Sequence, residues 1–153
     1  MPVSEQLYNT AMFVNNNLLP YVRHVTPDDT LMPDDYNVCF EILKYYLTTL
    51  NQVVYAKRET VAMHDDVYYT DIEDLRRLAY NLWYTINTDL GDPYASDPDF
   101  QSLKTMLYSV PPKAYGDLLS DAEWNVVFDF CKKITEIILK YPLGITVDIV
   151  FFG

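Results

Sequence analysis

Six apolar residues, Tyr36, Phe40, Leu43, Leu47, Leu50 and Val54, recur at three- and four-residue intervals and share one face of a helix. Cys39, Ile42, Tyr46 and Val53 widen that stripe, so more than one neighbour has to cover it. The pattern predicts a helix over 33–57. Pro33 suits the first helical position, where its missing N–H costs nothing, and Asp34 and Asp35 follow at the positive end of the helix dipole. Lys57 and Arg58 would close the negative end. A helix with so wide an apolar face commits the chain to a mainly helical core.

Four more helices follow from the same reasoning. Ser4 reads as an N-cap with Glu5 in the first turn, and Leu7, Ala11, Val14 and Leu18 form a stripe that Pro20 ends or kinks. Thr70 with Glu73 reads as a capping box for a helix running to about Thr88, with Ile72, Leu75, Ala79, Leu82 and Ile86 inward and Leu78 and Trp83 flanking. A turn-rich linker over 91–98 leads to a short helix over 99–108, which Pro111-Pro112 stops. Ser120 with Glu123 opens the last helix, where Trp124, Val127, Phe128, Cys131, Ile134 and Ile138 give a strong apolar face up to Tyr141. The helices over 33–57, 70–88 and 121–141 are the expected core, packed as an irregular bundle. No internal repeat, low-complexity tract or domain boundary is evident, so residues 1–153 read as one domain.

The period then changes. Ile145, Val147, Ile149 and Phe151 alternate with Thr146, Asp148, Val150 and Phe152, which predicts a β-strand or arm over 145–153. A lone strand cannot satisfy its own backbone donors and acceptors, so it needs a partner. Within the chain, the segment over 60–69 has some strand character around Asp65-Asp66 and is the expected partner; otherwise the partner is a neighbouring subunit. Free apolar edges template aggregation unless paired or covered, and a closed ring of strand exchanges would leave none.

Charge narrows the function classes. A net charge of −11 argues against direct binding to a nucleic-acid backbone and is compatible with a basic protein partner. Of the 22 acidic residues, many are aspartates at helix starts and turns rather than a ladder at phosphate spacing. No apolar run reaches the ~20 residues needed to span a bilayer. The start lacks the basic and apolar regions of a signal peptide, so a soluble, intracellular product is expected. Cys39 and Cys131 sit in apolar patterns and read as small buried hydrophobes rather than metal ligands.

The 14 tyrosines offer large apolar faces with polar tips, suited both to core edges and to interfaces. Tyr68, Tyr69, Tyr94 and Tyr115, placed in loops, are candidate contact anchors together with Ile145, Val147, Ile149, Val150, Phe151 and Phe152 of the terminal strand. Catalytic signatures are weak. His64-Asp65-Asp66 lacks the further ligands a metal centre needs and reads as a surface turn. Asp28-Asp29 and Asp34-Asp35 lack the spacing of a calcium loop. There is no glycine-rich phosphate loop or nucleophile elbow. No cofactor or metal is expected, and the chain reads as a non-enzyme.

The helices over 33–57 and 121–141, with the strand over 145–152, resemble in size and layout the neck or head–tail adaptor proteins of tailed bacteriophages. That resemblance implies a virion structural subunit, assembling with copies of itself and with other structural proteins into a connector ring. The alternative from charge alone is an acidic inhibitor, or DNA-mimic-like protein, that binds a basic, nucleic-acid-handling partner.

Overall fold

The computed structural model describes residues 3–26, 31–109 and 121–142, with side chains from 123 onward in the last stretch. Five α-helices lie among the described residues: α1 (Val3–Asn17), α2 (Pro33–Thr49), α3 (Tyr69–Thr85), α4 (Pro98–Tyr108) and α5 (Asp121–Leu139). A 3₁₀ turn, Leu19–Tyr21, follows α1, and π-helical Ile86–Leu90 extends α3. The expected helical bundle is therefore present. α5 packs against each of the other four helices and is its hub. None of these helices is long and apolar enough to cross a membrane.

The apolar stripes behave as the periodicity predicts. Leu7, Ala11 and Val14 of α1, Ile72, Leu75, Leu78, Ala79 and Leu82 of α3, and Trp124, Val127, Phe128, Cys131, Ile134 and Ile138 of α5 are all buried. Each large side chain so removed from water contributes about 1.5–3 kcal/mol before entropy is counted. Cys39 and Cys131 are free, fully buried and in contact, and burial together with the neighbouring thiol raises the pKa of Cys39 well above its usual value. A buried hydroxyl relay runs through the core. Thr135 donates to the Cys131 carbonyl at 2.8 Å and stands 2.6 Å from the Tyr46 hydroxyl, tying α2 to α5.

The structure corrects several boundaries. The helix expected over 33–57 stops at Thr49. Asn51 takes φ 59°, its N–H donates to the Thr48 carbonyl and the Gln52 N–H donates back to Leu47, so the helix is closed by a Schellman motif with Asn in the left-handed position. Val54 continued the stripe only by coincidence of spacing. Ser4 lies inside α1 rather than capping it. The capping box assigned to Thr70 and Glu73 does not form: α3 begins at Tyr69, and Asp71 accepts the Tyr68 N–H at 2.8 Å. No strand is present among the described residues. The segment over 60–69 is a pinned turn leading into α3, with Asp65 N–H bonded to the Ala62 carbonyl. The predicted strand over 145–153, and Ser120, lie outside the described residues.

A repeated device, unseen in the sequence, builds the entries to α2 and α3. Val25, Met32, Pro33 and Asp35 recur at the same intervals as Val61, Tyr68, Tyr69 and Asp71, and the two helices that follow are each 17 residues long. Each buried valine is held by both edges of an asparagine amide on a neighbouring helix. Asn125 of α5 accepts the Val25 N–H at 2.7 Å and donates to its carbonyl at 2.9 Å; Asn37 of α2 treats Val61 likewise at 2.8 and 3.0 Å. Each buried aspartate accepts the N–H of the residue before the helix and a two-pronged guanidinium, from Arg23 on Asp35 and from Arg58 on Asp71. The loop before α3 is the longer, and most of the added residues lie between the end of α2 and Arg58.

Candidate interaction surface

The loop over 50–68 carries no regular structure, and a long irregular loop needs outside support for its backbone. Here polar side chains of α2 and α3 provide it. The Tyr36 hydroxyl donates to the Arg58 carbonyl, Asn37 clamps Val61, Asp74 accepts the Lys57 N–H at 2.9 Å, and Arg77 donates to the Tyr55 carbonyl. Arg58 completes the set by bonding both Asp71 and the Asp66 carbonyl. Its hydrogen bond with Asp71 raises the guanidinium pKa further above its ordinary value, while burial raises that of the Tyr36 hydroxyl. Val61 is the apolar plug of the loop, and Val54, Ala56 and Val67 pack partly against the core.

With its backbone fixed, the loop turns other apolar side chains outward. Val53 is 87 % exposed, Met63 77 %, Tyr55 64 % and Tyr68 54 %. Two of these rings are held from behind: the Arg58 guanidinium lies 4.7 Å from the Tyr68 centroid, and Arg77 lies 5.7 Å from that of Tyr55. Arg77 also lines the cleft between α3 and α4, about 380 Å³ in volume, with Tyr80 and Tyr108. Tyr80, Tyr84 and Tyr108 cluster beside it, and Lys104 sits across Trp83 and Tyr108. Tyrosine and arginine fixed in one geometry lose little entropy on contact, the property of residues that dominate protein interfaces.

Of the candidate anchors, Tyr68 is on this surface and Tyr69 is half-buried at the start of α3. Tyr94 is a correction: it is fully buried, edge-on to Tyr141 and against Phe100, and burial pushes its hydroxyl up to about 12. The turn around it folds inward because Asp97, the N-cap of α4, draws in Lys140 and the Tyr141 hydroxyl from the end of α5. Tyr115, Ile145, Val147, Ile149, Val150, Phe151 and Phe152 lie outside the described residues. His64-Asp65-Asp66 is an exposed turn, as expected. Among the described residues, no three His, Cys, Asp or Glu side chains are grouped to hold a metal.

Val53, Tyr55 and Met63 were missed as surface residues. Periodicity alone places Val53 in the helical stripe, and the signal that frees it is Asn51-Gln52, an Asn at the point where the helix closes. No protein-family model, curated protein or solved structure matches the chain.

Proposed function

We propose that this chain is a non-catalytic assembly subunit that joins copies of itself and neighbouring structural proteins. The observation that carries this reading is the loop over 50–68, whose backbone is held by Tyr36, Asn37, Asp74 and Arg77 while Val53, Tyr55, Met63 and Tyr68 face solvent. Polar groups of two helices hold an irregular segment that keeps large apolar side chains in solvent, an arrangement suited to contact with a partner. The alternating residues over 145–152 supply a second contact element, an extended arm that adds to a neighbour. A connector ring of a tailed bacteriophage is the setting that the sequence resemblance implies.

The acidic-inhibitor alternative draws less support. Asp35, Asp71, Asp74 and Asp97 are buried and engaged by the chain's own groups, which removes them from any carboxylate ladder. The deciding experiment is the solution mass by light scattering, for the full chain and for a chain ending at Gly144. An oligomer that becomes a folded monomer on truncation supports the assembly reading. A full chain that stays monomeric at every concentration, and gains no partner copy, removes it.

A further inference from the structure

The added residues in the longer loop have a shape of their own. Over 53–56 the side chains alternate: Val53 and Tyr55 are exposed, while Val54 and Ala56 are half-buried and packed on the core. Period-two burial is what an extended backbone produces, with one face on the protein and one in solvent. The ends of the stretch are fixed. The Gln52 N–H bonds to Leu47, Arg77 takes the Tyr55 carbonyl and Asp74 takes the Lys57 N–H. Between them, among the described residues, no hydrogen bond reaches the backbone of Val53, Val54 or Ala56. A fixed, extended segment with unpaired N–H and C=O groups is a template for strand addition.

We propose that 52–56 is the acceptor edge onto which residues 145–152 of a second copy add as a strand. The proposal rests on the assembly reading above and names the surface it uses. Three features argue for this occupant. The donor segment has the matching period, with Ile145, Val147, Ile149 and Phe151 on one face, and is long enough for one strand of ordinary length. It carries one acid, Asp148, and the acceptor is followed directly by Lys57, whose side chain is exposed, in a chain that is otherwise strongly acidic. The partner expected within the chain, 60–69, is unsuitable, because Asn37 and Arg58 already take the Val61 amide and the Asp66 carbonyl.

The test uses full-length chains carrying one new cysteine each. A Val53→Cys chain is mixed with an Ile149→Cys chain and oxidised with glutathione disulfide, which takes up the two electrons as the two thiols lose their protons and join. Cys39 and Cys131 are fully buried and stay out of the reaction. A covalent pair of twice the chain mass, with residue 53 joined to residue 149 in its peptides, is the expected result. In parallel, Val54→Pro removes a donor from the free edge, which carries the backbone groups of Val54 and Ala56 because those of Tyr55 and Lys57 turn to Arg77 and Asp74. It breaks no hydrogen bond of the described fold and is expected to drop the oligomer to a monomer of unchanged helicity. If truncation at Gly144 disperses the oligomer but neither the cross-link nor the proline has an effect, the acceptor is elsewhere and the assembly reading survives alone. If the full chain is a monomer throughout, both fall. A 53–149 bond that forms only inside one chain carrying both cysteines overturns the second copy as occupant.

Discussion

Asn37 and Val61 are joined by both edges of one amide, the Val61 N–H donating to Asn37 Oδ1 at 2.8 Å and Asn37 Nδ2 donating to the Val61 carbonyl at 3.0 Å. Asn125 and Val25 repeat the arrangement. Both valines are buried, so neither backbone group can turn to water when the amide is lost. Asn37→Ala is expected to cost about 2–3 kcal/mol in urea unfolding, with Asn125→Ala close behind. Asn37→Asp keeps the acceptor but sets a carboxylate oxygen against the Val61 carbonyl, and should cost at least as much as Ala at pH 7. If Asn37→Ala costs nothing, the loop over 50–68 is not held as the geometry indicates.

The aspartates at the helix entries should be unequal to the surface acids nearby. Asp71 is almost wholly buried against the partly exposed Arg58, so solvent screens the pair only from one side. Replacing Asp71 with Ala strands that guanidinium and frees the Tyr68 N–H, with an expected loss of about 2–4 kcal/mol. Asp65, 60 % exposed and 3.8 Å from the same guanidinium, is a surface partner and should lose less than about 1 kcal/mol as Ala. Denaturant midpoints of the two variants decide the ranking.

How far the fold could be read from the sequence follows the same division. Apolar periodicity located all five helices and nearly all of the inward residues, because burial of a helical stripe depends on spacing alone. Boundaries failed where a single residue decided them. Asn51 closes α2 through its left-handed backbone, and Asp71 starts α3 ahead of the Thr70 box because Arg58 draws its carboxylate to that position. The clamps of Asn37 and Asn125 were illegible, since each joins residues far apart in the chain and leaves no local pattern. For the candidate surface, loop position correctly marks Tyr68 as exposed but misplaces Tyr94, whose turn folds inward around Asp97, and a false continuation of the helix hides Val53.

The turn at Asn51 gives a clean test of backbone strain. At φ 59° an asparagine is tolerated and a glycine is at ease, whereas a β-branched residue clashes with its own carbonyl. Asn51→Gly should change stability by less than about 0.5 kcal/mol, and Asn51→Val should lose about 1–2 kcal/mol. Thermal unfolding of the pair reads the difference, and equal losses would show that the side chain rather than the backbone matters there.

Asp97 predicts how the fold responds to acid. Burial alone would raise its carboxyl, but hydrogen bonds from the Tyr141 hydroxyl, Lys140 and the backbone N–H groups of Asp99 and Phe100 outweigh it and hold the group below the ordinary value of 3.8. A carboxyl whose folded value is depressed binds its proton more readily in the unfolded chain. Its contribution is therefore complete above the unfolded value and is lost as pH falls through the folded one. Asp97→Asn keeps a side-chain oxygen for the cap of α4 but loses the charge that holds Lys140. It should be less stable than wild type at pH 7, with the gap closing below about pH 4. Asp97→Ala removes the cap as well and should stay destabilised by about 1 kcal/mol even in acid. Unfolding midpoints of the three proteins from pH 7 to pH 3 separate the charge from the cap; parallel curves for wild type and Asp97→Asn would rule out a depressed carboxyl at this position.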